Sequence, residues 1–392
     1  PVCRQAGFSK SEGQERRKLL HCKQRQLNDA TLMKKILRWL LLLTMPAVCN
    51  KEVIAQDIGF SQFYEQPLLR NPALAGIFNG DVRFTASYRN QWQSVTIPYR
   101  TFGLSSEIKF PLQVMNLDVT STFGLELFRD VAGTSEFSTT QILPAENISI
   151  RTAENSFLSF AFMAGVMQQR FDPTKLVLND QFVANSDGSF SVLPYSSQTF
   201  NKTSVNYFDL SAGVTYKSSL NDNVDYYVGA GLFHLTNPSV GFFDGSKIML
   251  NKKLALNAGL SNAIGDENEL IFYADYFDQY TSSFKRVGIN TAQFGVMYNH
   301  AFFQSDGDQS ITGGLLYRWN DAIIPVVQLE LSKFTIGASY DVNISKLSVA
   351  SQARGGFELT LSYKSFLNSR NPDLIGTRCP GFGKRKVNPY YR

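Results

Sequence analysis

Beyond residue 55, two histidines, one cysteine and a few acidic turns are the side chains with an obvious claim to chemistry. His234 and His300 are the candidate general bases, and a Ser/His/Asp hydrolase set would have to use one of them. Neither stands near another His or a Cys, so neither reads as a metal ligand. Cys379 is alone after residue 49, which leaves no intrachain disulfide and no cysteine-based zinc site there. The turns at Asp187 and Asp306 are incomplete as calcium loops and read as plain turns. No G-x-S-x-G, H-E-x-x-H, P-loop or dinucleotide fingerprint is present. The residue types therefore imply no catalytic, cofactor or metal site, and a non-enzymatic protein.

The elements that would position any site alternate. Val82, Phe84, Ala86 and Tyr88 interleave with Arg83, Thr85, Ser87 and Arg89, and Leu210, Ala212, Val214 and Tyr216 interleave with Asp209, Ser211, Gly213 and Thr215. A period of two sends alternate side chains to opposite faces of a strand. Fourteen segments read this way: 82–90, 101–110, 120–129, 138–151 (interrupted at Pro144), 157–168, 205–217, 224–235, 253–261, 269–277, 292–301, 310–319, 323–331, 333–341 and 356–364. The longest gap, 170–204, reads as a large extracellular loop. An even strand number, about ten residues per strand and uneven loops suit a transmembrane antiparallel β-barrel. Leu158, Phe160, Phe162, Ala164 and Val166 fit a lipid face, and Ser159, Ala161 and Gly165 fit a crowded lumen. A soluble, secreted β-sandwich alternates too, and periodicity alone leaves both architectures open.

The start of the chain reads as an export leader. Met33 is a plausible translation start, with residues 1–32 untranslated or disordered. Lys34, Lys35 and Arg38 form a positive n-region, Trp39 to Met45 a short apolar stretch, and Val53 and Ala55 a small-residue cleavage site before Gln56. Residues 33–55 thus read as a signal peptide cleaved between Ala55 and Gln56. Residues 1–55 hold 11 Lys/Arg against 4 Asp/Glu, so their removal turns the formal +5 of the whole chain into −2. Nucleic-acid binding then loses its electrostatic support. The remaining chain divides into an N-terminal periplasmic or plug-like segment (56–81), the barrel (82–367) and a basic C-terminal tail (368–392). The tail carries Arg370, Arg378, Lys384, Arg385, Lys386 and Arg392 against Asp373.

Particular motifs then stand in order along the chain. Residues 57–76 read DIGFSQFYEQPLLRNPALAG and include Asn71, Pro72 and Gly76. Tyr88, Arg89, Asn90, Gln91 and Trp92 follow. HLTNP begins at His234, GLLYR at Gly314, DAIIP at Asp321, IGASYD at Ile336 and GGFE at Gly355. Cys379, Pro380, Gly381 and Phe382 come last. This ordered set resembles the PorP/SprF family, with its "QDPxFSQY…NPAxAG…YRNQW" opening, "HLxxP" element and terminal "CPRF". Ile58 replaces the usual Pro, Gly381 replaces Arg, and a basic extension follows Phe382.

The resemblance implies an outer-membrane β-barrel of the type IX secretion and gliding motility system in a Gram-negative bacterium. It implies docking or anchoring of a large secreted cargo or adhesin, or joining of the machinery through periplasmic ring or peptidoglycan-associated proteins. Outer-membrane lipid is the remaining expected partner. The alternatives carried from the residues are a diffusion channel or ligand-gated transporter, and the secreted sandwich. Asn71-Pro72 is an extended or turn dipeptide. Arg89, in phase with the polar face, is expected to pair with an acid such as Glu107, Glu126 or Glu358. Trp92 is expected to anchor at an interface.

Overall fold

The computed structural model describes residues 59–367, apart from 94–96, 115–116, 244, 246–247, 305–306, 347 and 353. The expected cleavage site at Ala55 and Gln56, the tail with Cys379, Pro380 and Phe382, and Asp306 lie outside the described residues.

Among the described residues, sixteen strands are formed: β1 (Val82–Gln91), β2 (Tyr99–Val114), β3 (Leu117–Ala132), β4 (Phe137–Ala153), β5 (Ser156–Arg170), β6 (Phe182–Ala184), β7 (Phe190–Val192), β8 (Ser204–Ser219), β9 (Val224–Phe233), β10 (Lys252–Ile264), β11 (Asn268–Tyr280), β12 (Arg286–Gln304), β13 (Gly307–Arg318), β14 (Ala322–Leu331), β15 (Phe334–Asn343) and β16 (Arg354–Ser365). All but β6 and β7, a small separate hairpin, form one closed antiparallel barrel of fourteen strands. Neighbours in sequence pair throughout, and β1 closes the ring on β16 from Val82↔Ser365 to Gln91↔Gly356. Among the described residues, no helix is long and apolar enough to cross a membrane. The strands do so instead, and their closure leaves no unsatisfied edge around the ring where it is fully paired.

Each expected strand segment corresponds to one barrel strand, and most strands run longer than the alternation implied, although β9 stops at Phe233, two residues short of the expected 235, and β13 at Arg318, one short of 319. Segment 292–301, for instance, lies inside β12. The period fades beyond the apolar band, where both faces meet polar surroundings, although pairing continues. The expected break at Pro144 is absent: β4 is continuous. Instead its ladder to β5 lapses, jumping from Ile142↔Val166 to Ala145↔Met163. Pro325 does the same between β14 and β15, where pairing jumps from Ile323↔Val342 to Val326↔Ser339. A proline has no N–H to give, so the ladder yields locally while the strand persists.

Along β5, Phe160, Phe162 and Val166 are exposed on the outer face, while Ser159, Ala161 and Met163 are buried on the inner one. The connections sort by rim. Turns such as 154–155, 220–223, 265–267 and 332–333 lie at one rim, together with Val82 and Ser365. The long connections 171–203, 234–251 and 344–353 lie at the other. In bacterial outer-membrane barrels the short turns face the periplasm and the long loops face outward. The two longest loops interlock: the Phe171 ring lies 5.2 Å from Phe200 and 5.1 Å from Phe242, and Phe242 also meets Phe137.

The two faces of β5 should respond oppositely to charge. Phe160→Arg on the lipid face, where its in-register neighbours Ile148 and Val214 are apolar, is expected to cost about 2–4 kcal/mol of folding free energy near the bilayer midplane. Unfolding titrations in lipid vesicles would measure this, and an unchanged stability would contradict the assignment of faces.

Candidate functional site in the barrel lumen

Residues 59–81 occupy the lumen. They have no long regular element: a 3-10 turn (Phe63–Glu65), one helical turn (Pro67–Arg70) and a second 3-10 turn (Pro72–Leu74) follow one another. Two prolines, at 67 and 72, each open a turn, where a missing N–H costs nothing. Nearly every side chain from Phe60 to Asp81 is buried. Residues 59–81 of the segment expected to be periplasmic or plug-like are therefore held inside the barrel.

Both apolar and polar contacts hold it. Phe63 and Tyr64 pack with Ile271, Met297, Leu316, Ile324 and Val326. Tyr64 stacks on Tyr273 at 5.3 Å between ring centroids. Leu68 and Ala75 pack with Leu143, Ala145, Met163, Met167 and Phe233.

The polar contacts converge on carboxylates from widely separated strands. The backbone N–H groups of Ser61 and Gln62 donate to Glu358 on β16 at 2.6 and 2.8 Å. The Arg70 guanidinium forks onto Asp275 on β11, with Nε and Nη2 at 2.6 and 2.8 Å, and Nη2 also donates to Tyr227 at 2.9 Å. The Gly76 N–H donates to Glu107 on β2 at 2.7 Å. A bidentate guanidinium–carboxylate pair is the strongest of these in kind, and its planar fork also fixes orientation. Glu65 is itself an acceptor, taking hydrogen bonds from Gln328 on β14 and Ser362 on β16.

The motif residues find structural places in this arrangement. Asn71 accepts the Ala73 N–H at 3.0 Å, capping the turn, and donates to the Val214 carbonyl and the Thr215 hydroxyl on β8. Pro72 begins that turn. Gly213, Gly229 and Gly231 give Asn71 its space: a Cβ on Gly213 would stand 2.0 Å from Asn71 Oδ1. Gly76 has φ +83°, and a Cβ there would meet Thr122 at 2.5 Å.

Arg89 points into the lumen, as its phase implied. Its closest acid is Asp341 on β15, at 2.8 Å, with Glu358 at 3.8 Å. Glu107 is taken instead by Arg83. Asp341 also receives Arg318 at 2.7 Å and the Ser61 hydroxyl at 2.5 Å, so two arginines and the plug meet on one carboxylate.

The other residues of the YRNQW motif serve the long-loop end of β1. Tyr88 faces outward beside Phe357, 6.0 Å between centroids, and Asn90 is buried at the same rim. Gln91 pairs in register with Gly356 and is half-buried. Trp92 turns the chain with φ +58°, donates its N–H to the Gly355 carbonyl and lies 4.8 Å from the Tyr99 ring.

The structure does not bring the two histidines together. His234 sits just past the long-loop end of β9, buried, with Nδ1 2.7 Å from Asp209. His300 lies near the short-turn end of β12, with Nδ1 2.8 Å from Asn268. His234 has φ +60° and Asn237 φ +44°, and Asn237 closes a turn onto the His234 carbonyl. The HLTNP element thus bends the chain away from the wall, while Leu235 and Thr236 bond back to β8. Asp187 accepts from the Ser189 N–H and hydroxyl, which makes an ordinary Asx turn.

Sequence reasoning missed Asp275, Tyr227, Asp341 and the glycine cradle. Their one signal was phase: each lies on the lumen-facing parity of its strand. Parity could not say which of many inward polar residues the plug would reach.

The profile of the type IX secretion system membrane protein PorP/SprF matches residues 52–363. The chain belongs to the PorP/SprF family. Among curated protein sequences, none matches it. Among solved structures, the Ralstonia pickettii toluene transporter TbuX is 11% identical, with a TM-score of 0.45, over 76% of this chain and 93% of that one. The CymD monoaromatic hydrocarbon channel is likewise 11% identical, with a TM-score of 0.42, over 77% and 93%. A Pseudomonas aeruginosa FadL homologue is 8% identical, with a TM-score of 0.39, over 72% and 89%. At such levels these likenesses carry nothing about ligand or cargo. Family membership and the closed barrel place this PorP/SprF protein in the outer membrane.

Two variants probe the plug. Arg70→Ala leaves Asp275 buried without its fork, and breaking a buried pair this way typically costs about 3–5 kcal/mol. The expected result is a plug newly open to added protease in a barrel that still shows its folded gel mobility. Gly213→Ala is expected to lower the midpoint of the heat-induced gel shift, and Asn71→Ala in the same chain to recover part of that loss. Simple additivity of the two changes would argue against the cradle.

Proposed function

We propose that this PorP/SprF protein is a plugged, non-enzymatic docking barrel. Its long-loop rim would hold a secreted surface protein, and its short-turn rim and basic tail would join the secretion or gliding machinery. The observation that carries the reading is the lumen filled by the chain's own residues 59–81, tied to carboxylates on β2, β11 and β16. A barrel so filled has little use as an open diffusion channel.

The outer loops supply the complementary surface. Phe182, Val183, Phe190, Val192 and Tyr195 are exposed together on loop 171–203, around the β6–β7 hairpin. Clustered exposed aromatic and aliphatic side chains on a polar loop are a feature of protein-binding patches. The charge of the tail suits acidic periplasmic partners. A ligand-gated transporter is the second reading: a plug held by ion pairs can exchange them for a ligand's contacts.

Two measurements test the docking reading. The purified protein is expected to stay electrically silent in planar bilayers, and a steady conductance without cargo would favour transport. Phe190→Ser with Tyr195→Ser is expected to reduce, by about tenfold or more, the large secreted protein recovered with the barrel after native purification, as loss of interface anchors does. Unchanged recovery by quantitative mass spectrometry would remove the loop from the docking surface.

A further inference from the structure

The outer wall carries a cluster that neither the plug nor the docking loop uses. On the lipid-facing side of β10, β11 and β12, side chains stand in register across the three strands. Leu260, Phe272 and Val296 form one row, and Ala258, Ala274 and Phe294 the next toward the long-loop rim. Leu256, Tyr276 and Ala292 follow. The apolar rows then end, and Lys252, Tyr280 and Arg286 stand side by side beyond them.

This outermost row is built with some care. Asp278 points outward yet is only 3% exposed. It is covered by Arg286 Nε at 2.7 Å and by the Tyr280 hydroxyl at 3.1 Å. Arg286 Nη2 also meets the Tyr276 hydroxyl at 2.9 Å. A register shift between Asp278 and Tyr280 accompanies this placement. The guanidinium is thereby oriented, while 46% of the Arg286 side chain stays exposed. Lys252 Nζ donates to the Ser282 carbonyl at 3.2 Å and sits 4.0 Å from the Phe284 ring centroid. Lys285 stands exposed in the same 281–285 turn.

Asp278 balances one of these three cations, which leaves a net charge of two to be met. The site faces the bilayer at the point where the apolar wall stops, on the rim of long loops. There, the groups within reach are the headgroups of the outer leaflet, and a headgroup phosphate has the matching charge and oxygens for both ammonium and guanidinium donors. Tyr276 and Tyr280 supply the amphipathic ring surface expected at that depth.

We propose that Lys252, Lys285 and Arg286 form a binding site for a phosphorylated lipid headgroup of the outer leaflet. Asp278 and Tyr276 position the guanidinium, and Phe284 positions the Lys252 ammonium. The acyl chains of the bound lipid would lie down the apolar rows toward Leu260, Phe272 and Val296.

The test uses the full chain, delipidated in mild detergent and exposed to bisphosphorylated lipid A, to its dephosphorylated form, or to inorganic phosphate. Native mass spectrometry reads the bound species. The wild type is expected to retain the phosphorylated lipid and not the dephosphorylated one. K252Q/K285Q/R286Q is expected to retain at least about tenfold less, given what each cation near a charged membrane surface contributes. A control with Arg170, Lys175 and Lys346 changed to Gln should bind as the wild type does.

Equal retention by the triple variant, or equal loss in the control, overturns the site. Displacement of the lipid by millimolar inorganic phosphate would make free phosphate the ligand and overturn the lipid assignment. Should the triple variant lose its folded gel mobility, Lys285→Gln alone serves, since that side chain is exposed. It is expected to weaken retention about threefold, and no change would count against the proposal.

Discussion

Hydrocarbon offers a backbone no hydrogen-bond partner, and that single constraint dictates the architecture. Strands that cross a membrane must satisfy one another, so the first must find the last. Here β1 finds β16 along its whole length, with ten pairs in unbroken register from Val82↔Ser365 to Gln91↔Gly356. Once closed, the ring has an inside and an outside, and the period of two converts that distinction into chemistry. Side chains of one parity meet lipid and are mostly apolar, with Glu146 on β4 and the Lys252–Arg286 row among the exceptions. Those of the other parity face a lumen free to be polar, and arginines and carboxylates gather there at a density a soluble core of this size would not tolerate.

A polar lumen creates its own difficulty, because buried charges need partners. Residues 59–81 meet part of that need. The plug brings one guanidinium to Asp275, backbone donors to Glu358 and Glu107, and a hydroxyl to Asp341. Wall arginines supply others: Arg83 to Glu107, and Arg89 and Arg318 to Asp341. Plug and wall therefore form one electrostatic unit, and removing either would strand charges on the other. The apolar patches around Tyr64 and Leu68 add burial without direction, while the polar contacts set the position.

How much of this was legible in the sequence follows from the same physics. Strand positions and faces were legible because burial in a membrane wall imposes a strict period, as Phe160, Phe162 and Val166 illustrate. Strand lengths were not, since β12 runs on past the band where the period means anything. The segment 56–81 could be marked off as periplasmic or plug-like, but its course was not legible, because a segment surrounded on every side is under no periodic demand: Phe60 to Asp81 mixes Phe, Gln, Pro, Arg and Asn without phase. The inward direction of Arg89 could be read from parity, but its choice of Asp341 over Glu107 depends on strand offsets that parity does not contain. Gly213, Gly229 and Gly231 looked like ordinary strand glycines until Asn71 was seen lying over them.

The same contacts bear on how the ring closes. Asp81 ends the plug at the point where the first and last strands meet. Its N–H donates to the Ser365 carbonyl on β16 at 2.8 Å, and its carbonyl accepts the Lys109 N–H of β2 at 2.7 Å. Its carboxylate takes the Leu367 N–H at 2.9 Å. At the other end, Ser61 and Gln62 hold Glu358 on that same β16. The last strand is thus gripped at two heights by the segment that precedes the first. Aligning β16 against β1 and seating the plug satisfy overlapping sets of donors and acceptors, so each lowers the entropic cost of the other. A barrel that shuts by joining its two most distant strands gains from a segment inside it that already touches both.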